Sequence, residues 1–266
     1  MELLLHISAG AVVGFAIGLT GVGGGSLMTP ILLLFGYPAP VAIGTDLLYA
    51  AITKANGAIS HHRRGNVNWK IVSLLALGSI PSAILVHLLL LDTGFQQSQL
   101  FENLLTRSLG VMLITTSIIL IFKGKLRKNA VDDRPEFIMG VVHRNRGFIT
   151  WLMGILLGVC VTLSSIGAGA FGAAILLVIY SKTSAVRIIG SDIAHAVPLT
   201  FIAGAGYFVA GFVDMSLLLS LLLGSLPAIS FGTRVSSRVS ERTLQKILIV
   251  ILLSMGCYYS IFSVLH

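Results

Sequence analysis

The stretch Gly18-Leu19-Thr20-Gly21-Val22-Gly23-Gly24-Gly25-Ser26 decides the fold of this chain. It lies between a long apolar segment, 3–19, and a short one, 27–36. Four glycines in five positions disfavour an unbroken helix, because each costs about 1 kcal/mol relative to alanine. Broken backbone is tolerated inside a membrane only where it is buried in protein or lines a water-filled cavity. We therefore predict a helix break beside a cavity.

The composition is that of a membrane protein. Of the 266 residues, 55% are hydrophobic and 11% are charged, and the mean hydropathy is +0.94. These values are typical of a polytopic membrane protein. The two cysteines lie in apolar runs without metal-ligand spacing, so we expect neither a disulfide nor a metal, and no cofactor.

The positions of Lys and Arg predict the orientation in the bilayer. Most of these residues fall in four stretches: Arg63 and Arg64, 123–146, Lys182 and Arg187, and 234–246. The turns at 37–40, 92–103 and 207–214 contain none. By the positive-inside rule the basic stretches are cytoplasmic, which places both termini outside the inner membrane of a prokaryote. Because topology accounts for the net charge of +8, we expect no nucleic-acid partner.

Ten apolar segments predict an all-α polytopic membrane protein. Two of them, 27–36 and 170–180, are too short to span a bilayer upright, since a spanning helix needs about 20 residues. Each follows a glycine-rich break and could be the second arm of a re-entrant hairpin or a short, tilted crossing. The fold is therefore either eight full crossings with two hairpins or ten helices.

The chain repeats itself at an offset of 144 to 146 residues. Four pairs of motifs recur in the same order: Val22-Gly23-Gly24-Gly25 with Ile166-Gly167-Ala168-Gly169, Gly44-Thr45-Asp46 with Gly190-Ser191-Asp192, Gly65-Asn66-Val67-Asn68 with Gly211-Phe212-Val213-Asp214, and Gly78-Ser79-Ile80-Pro81 with Gly224-Ser225-Leu226-Pro227. The third motif follows a basic turn in the first half only. We therefore predict two inverted membrane repeats, 1–122 and 149–266, joined by a cytoplasmic linker, 123–148, as in many secondary transporters.

These motifs resemble those of the TauE/SafE family of sulfite and organosulfonate exporters. The resemblance rests on Gly14-X-X-X-Gly18-X-X-Gly21-X-Gly23-Gly24-Gly25, Pro30, Ala42-Ile43-Gly44-Thr45 and Gly65-X-Val67, with their echo in the second half. It covers both halves of the chain apart from the central loop. It implies a membrane transporter of small sulfur-containing anions such as sulfite or sulfonates.

The glycine runs are candidate anion sites. Successive backbone N–H groups at the positive start of a helix bind anions. The alternative is tight helix packing through Gly10, Gly14 and Gly18, and both can hold. The candidate substrate-binding residues are Gly21, Gly23, Gly24, Gly25 and Ser26, with Ser165, Gly167, Ala168 and Gly169 in the second half.

Two acids and a histidine lie in apolar segments, where ionisable side chains are costly and usually functional. Asp46 and Asp192 are candidates for proton coupling, with His195 as a relay three residues after the second acid. Alternatively, each acid caps the start of its own helix, and the histidine is a structural group. The neighbouring hydroxyls of Thr45 and Ser191 are candidate substrate ligands.

Lys54 lies well inside an apolar segment. Its ammonium could pair with the transported anion, pair with Asp46, or extend to the cytoplasmic surface. We expect a small anion, protons and the lipid bilayer as partners of a monomer or homodimer. The alternatives are an anion channel, a structural scaffold, or an intramembrane hydrolase using Ser164 or Ser165 with His195.

Overall fold

A computed structural model of the chain describes residues 2–20, 27–90, 96, 98–132, 136–235 and 241–262, and the regular structure in these ranges is α-helical. The all-α class is therefore confirmed. The helices are α1 (Glu2–Thr20), α2 (Met28–Leu34), α3 (Ala39–Arg63), α4 (Trp69–Leu90), α5 (Gln99–Asp132), α6 (Glu136–Ser164), α7 (Ala170–Ile179), α8 (Ala185–Val209), α9 (Met215–Val235) and α10 (Glu241–Phe262).

Helices α3 and α8 begin and end alike. Pro38 and Ser184 precede them with φ −57°, ψ 145° and φ −59°, ψ 141°. Both end in a turn containing a glycine with positive φ, Gly65 at 68° and Gly211 at 80°. Glycine adopts this left-handed conformation without the steric penalty that other residues incur. Both pairs are 146 positions apart, so the local structure repeats at the offset found in the sequence.

Six helices in the described ranges are long and apolar enough to cross a membrane: α1, α4, α5 over 99–122, α6 over 144–164, α8 and α9. The short helices α2 and α7 have 7 and 10 residues, as expected for segments that cannot span upright. Helix α3 has 25 residues but carries Asp46, Lys54 and a basic end. The apolar part of α10 is Lys246–Ser260. The choice between eight crossings and ten stays a prediction.

The central segment 123–148 is helical through Asp132 and again from Glu136. Helices α5 and α6 thus extend into the predicted linker, because polar residues can continue a helix outside the bilayer. The division into repeats at 1–122 and 149–266 stays a prediction.

Small residues bring the long helices into close contact. Gly10, Gly14 and Gly18 of α1 face the backbone of α9, where a Cβ at Gly14 would lie 2.6 Å from Ser225. The packing role considered for these glycines is therefore confirmed. Gly154 and Gly158 of α6 lie against the α4 backbone in the same way. Such contacts let helix backbones approach closely in a membrane.

The helix directions follow from these contacts. Along α1 and α9, residue numbers rise together, from Gly10 beside Leu221 to Gly18 beside Ile229, so the two helices are parallel. Helices α4 and α6 are also parallel. Helices α3 and α8 are antiparallel, because Gly44 faces Tyr207 while Gly190 faces His61. Helix α8 has 61% of its span buried, compared with 33–44% in the other five spans, so α8 is the central span.

Candidate functional site

The helix break between α6 and α7 faces the central pair α3 and α8. The first predicted break falls between Thr20, the last residue of α1, and Met28, the first residue of α2. Its candidate ligands Gly21, Gly23, Gly24, Gly25 and Ser26 lie outside the described residues.

The second break separates α6 from α7 and is formed by left-handed backbone. Gly167 and Gly169 have φ values of 129° and 130°, and Ser165 has φ 57°. The chain re-enters a helix through a hydrogen bond from Gly172 N–H to the Gly167 carbonyl, 3.0 Å long. The Ser165 hydroxyl is buried and faces the Asp46 carboxylate without hydrogen-bonding geometry. A buried polar group of this kind costs free energy, which is typical of functional sites.

Asp46 contacts the start of α2. Its Oδ2 accepts hydrogen bonds from the Thr29 N–H at 3.2 Å and the Thr29 hydroxyl at 2.5 Å, while Oδ1 has no partner. The residue is fully buried. The interpretation that Asp46 caps its own helix is wrong, because α3 begins seven residues earlier, at Ala39 after Pro38. The acid instead stabilises the start of a neighbouring helix.

Asp192 is the matching acid in the second half. It lies inside α8, which begins at Ala185, so capping of its own helix is wrong here too. Its Oδ1 lies against Gly172 in the first turn of α7, in space that any Cβ would fill. The carboxylate faces the backbone of Gly169, but both oxygens are buried without a hydrogen-bond partner. A charged carboxylate in this position is costly.

Lys54 connects the two halves. Its Nζ donates a hydrogen bond to the Ala168 carbonyl of the second break at 3.1 Å. The side chain is 6% exposed, so its ammonium does not extend to the surface as one interpretation had it. It lies within electrostatic range of both Asp192 and Asp46. The structure thus brings the predicted cation and both predicted acids into one buried cluster.

His195 lies within electrostatic range of Lys54 and contacts a residue that sequence reasoning missed. Its Nε2 is 2.7 Å from the Ser79 hydroxyl, and both residues are fully buried. The repeat-related pair is Tyr49 and Ser225, which lie side by side without hydrogen-bonding geometry. The recurring Gly-Ser-X-Pro motif was the signal that could have identified Ser79.

The remaining candidates have separate surroundings. The Ser191 hydroxyl accepts from the Asn68 N–H at 2.8 Å and donates to the Arg187 carbonyl at 2.7 Å, so it stabilises the turn before α4. The Thr45 hydroxyl is buried without a partner. The serine–histidine pair of the hydrolase alternative is not formed: the Ser164 hydroxyl donates to the Cys160 carbonyl, the Ser165 hydroxyl has no hydrogen-bond partner, and His195 Nε2 contacts Ser79.

A cavity of about 710 Å³ lies between α1, α3, α8 and α9. Lys54 lines it, as do the apolar residues Ile193, Leu226 and Ile229. Its polar wall also contains Arg234, which sequence reasoning treated only as a topology marker. The cavity lies toward the end of α3 that leads to Arg63, the side predicted to be cytoplasmic.

The opposite end of α8 is tightly packed. The Tyr207 hydroxyl donates to the Thr162 carbonyl at 3.0 Å, and His87 Nε2 lies 2.8 Å from the Ala203 carbonyl. The rings of Tyr207 and His87 meet edge to face with centroids 5.2 Å apart. His87 is half-buried and forms part of this contact. The described side chains therefore form a cavity at one end of the central pair and a packed contact at the other.

The chain is similar to known proteins over nearly its whole length. The family model described as Sulfite exporter TauE/SafE matches residues 6–259. The probable membrane transporter protein YjnA of Bacillus subtilis (strain 168) is 39% identical over 255 residues, which cover 94% of this chain and 96% of that protein. A second B. subtilis protein, the probable membrane transporter protein YdhB, is 29% identical over 237 residues, 87% of this chain and 89% of that protein. A probable membrane transporter protein of Methanocaldococcus jannaschii is 26% identical over 283 residues, 97% and 96%. No solved structure matches the chain.

Proposed function

The chain belongs to the sulfite exporter TauE/SafE family and is a membrane transporter, and from this premise we propose that it moves a small sulfur-containing anion, sulfite or a sulfonate, across the cytoplasmic membrane. Transport is secondary, coupled to protons, and proceeds by alternating access at a central site. The relatives are named as probable membrane transporters, which favours transport over catalysis.

The observation that carries this proposal is the buried cluster of Asp46, Lys54 and Asp192. Lys54 reaches the second break and also lines the cavity. An anion entering the cavity can therefore meet an ammonium group in surroundings of low dielectric, where charge pairing is stronger than in water. Asp192 has two buried oxygens without partners and can take up a proton at low cost. One cluster thus offers both an anion contact and a proton site.

Alternating access is supported by the relation between the halves. Repeat-related helices α3 and α8 run antiparallel, and the parallel contact of α1 with α9 is matched by that of α6 with α4. This is the arrangement expected of two repeats related by an axis in the membrane plane. Such repeats can exchange conformations and expose a central site to either side in turn. In our proposal both termini are external and the basic stretches are cytoplasmic.

Reconstitution in proteoliposomes tests the proposal. The purified protein is incorporated into vesicles, and uptake of ³⁵S-sulfite is measured with and without an imposed pH gradient, with sulfate and chloride as competing anions. We expect accumulation that collapses when a protonophore removes the gradient. A channel would only equilibrate sulfite, and a scaffold would move none.

The coupling residue has its own control. Asp192→Asn should eliminate accumulation but retain exchange of labelled for unlabelled sulfite, because exchange requires no net proton movement. Accumulation at the wild-type level in this variant would contradict proton coupling through Asp192.

A further inference from the structure

The cavity beside α9 contains a second cation that the proposed central site does not use. Arg234 lines it from the last turn of α9, and Lys54 lines it from α3. The two differ in burial: Lys54 is 6% exposed, whereas Arg234 is exposed. The lysine therefore marks the inner end of the cavity and the arginine its mouth.

The lining of the cavity is positive. Besides these two cations, its described lining contains the polar residues Thr53, Asn56, Ser230 and Thr233 and no carboxylate. A cleft lined by charges of one sign raises the local concentration of the opposite ion and speeds its association. The electrostatics of this cavity therefore favour anions.

The repeat does not account for the arginine. The position 146 residues before Arg234 is Leu88, which is 60% exposed, and the position 146 residues after Lys54 is Thr200. Both cations thus line the same cavity and have uncharged counterparts in the other half. A residue required only by the helix packing of the repeat would not differ in this way.

We propose that Arg234 is an anion-binding residue at the mouth of this cavity, which captures an oxyanion before it reaches Lys54. A guanidinium group presents paired N–H donors that match two oxygens of a sulfonate, sulfite or carboxylate group. Asn56, exposed on the same lining, has an amide donor for a further oxygen. The inference deepens the proposed function, on which it rests for the identity of the anion.

Chemical labelling tests the charge of the cavity without requiring transport. Cys160 and Cys257 are replaced by serine, and Ser230→Cys places one thiol in the cavity. Its reaction rate is measured in a neutral detergent with two methanethiosulfonate reagents, the anionic sulfonatoethyl and the cationic trimethylammonioethyl compound. We expect the ratio of anionic to cationic rate to fall about fivefold when Arg234→Gln is added, the effect of removing one partly screened charge.

The matched control is Arg187→Gln, which removes an equal charge from an exposed arginine that does not line the cavity. This change should leave the ratio within about 1.5-fold, since exposed charges at a distance are screened. Ethanesulfonate should slow labelling in the parent protein and much less in the Arg234→Gln variant. Arg234→Lys should retain the rate ratio but weaken this protection, because lysine lacks the paired donors.

An equal ratio with Arg234 and with Gln at this position would overturn the inference, as would an equal fall in the Arg187 control. If the Ser230→Cys protein does not fold, Asn56→Cys supplies a thiol in the same cavity. If the labelling ratio depends on Arg234 but the protein does not transport sulfite, the proposed function is contradicted and the anion-binding role of Arg234 is still supported.

Discussion

The two buried acids face similar helix starts but receive different contacts there. Asp46 accepts two hydrogen bonds from Thr29 at the start of α2. Asp192 lies against Gly172 at the start of α7, and neither of its oxygens has a partner. A charged carboxylate is stabilised by donors and is costly when buried without them. The first acid is therefore suited to anchoring α2, and the second to exchanging a proton.

The halves also differ in their cation. Lys54 extends from α3 to the Ala168 carbonyl in the opposite half. The hydroxyl of its repeat counterpart, Thr200, donates to the Ala196 carbonyl of its own helix at 2.8 Å. The Lys54 ammonium thus binds the backbone of the second break, near Asp192, whose oxygens have no hydrogen-bond partner. In our proposal these repeated positions have different roles, because Lys54 and Asp192 bind and couple while Asp46 anchors α2.

The largest expected effect is that of removing this cation. Lys54→Met should lower the rate of sulfite exchange in proteoliposomes by about 100-fold, since a charged hydrogen-bonding contact of roughly 3 kcal/mol is lost. The matched control is Thr200→Val, which should leave exchange within about twofold because its hydroxyl bonds only to its own helix. Wild-type exchange in the Lys54 variant would remove the lysine from the substrate site.

The two acids should separate in transport assays. Asp192→Asn should eliminate accumulation driven by a pH gradient while exchange stays within about threefold of wild type, because binding and coupling are separate functions. Asp46→Asn should retain gradient-driven accumulation at a reduced level, since the amide oxygen can still accept from Thr29. Accumulation and exchange of ³⁵S-sulfite are measured for each variant in vesicles of the same lipid composition. Loss of accumulation in Asp46→Asn alone would reverse the assignment.

Much of this arrangement could be predicted from the sequence. The second glycine-rich break, the short helices α2 and α7 and the buried positions of Asp46, Lys54, Asp192 and His195 follow from apolar patterning interrupted by glycine and charge. The family follows from the resemblance of its motifs. These signals are local, and charges inside apolar segments are costly enough to be conspicuous. The capping interpretation failed for a local reason as well: Pro38 sets the start of α3, and Gly44 is accommodated within the helix where it faces Tyr207.

The partners of these residues could not be predicted. Thr29 and Ser79 are ordinary hydroxyl residues in apolar segments, and such residues commonly hydrogen-bond to their own helix. Their contacts with Asp46 and His195 join residues 17 and 116 positions apart, and only tertiary packing brings them together. Arg234 was hidden for a different reason, because the positive-inside rule already accounted for its charge.

The anchoring role of the first acid should appear in stability. Thr29→Val keeps the side-chain volume but removes the hydroxyl donor to Asp46, so the free energy of unfolding should fall by about 2 kcal/mol. Thr45→Val is the control, since this neighbouring hydroxyl is buried without a partner and its loss should be neutral or stabilising. Thermal unfolding in detergent measures both. Equal melting temperatures for the two variants would contradict the role of Asp46 as an anchor.

The smallest expected effect distinguishes the two serines of the repeated Gly-Ser-X-Pro motif. Ser79 contacts His195 Nε2 at 2.7 Å, so Ser79→Ala leaves a buried imidazole nitrogen without its partner and should lower the free energy of unfolding by about 1 kcal/mol. Ser225 occupies the equivalent place beside Tyr49, whose hydroxyl makes no hydrogen bond, so Ser225→Ala should change stability by less than about 0.5 kcal/mol. The difference is measured by unfolding both variants in the same detergent. The two serines occupy equivalent positions in the repeat. Equal losses of unfolding free energy in the two variants would therefore mean that the serine stabilises the helix contact and not the histidine.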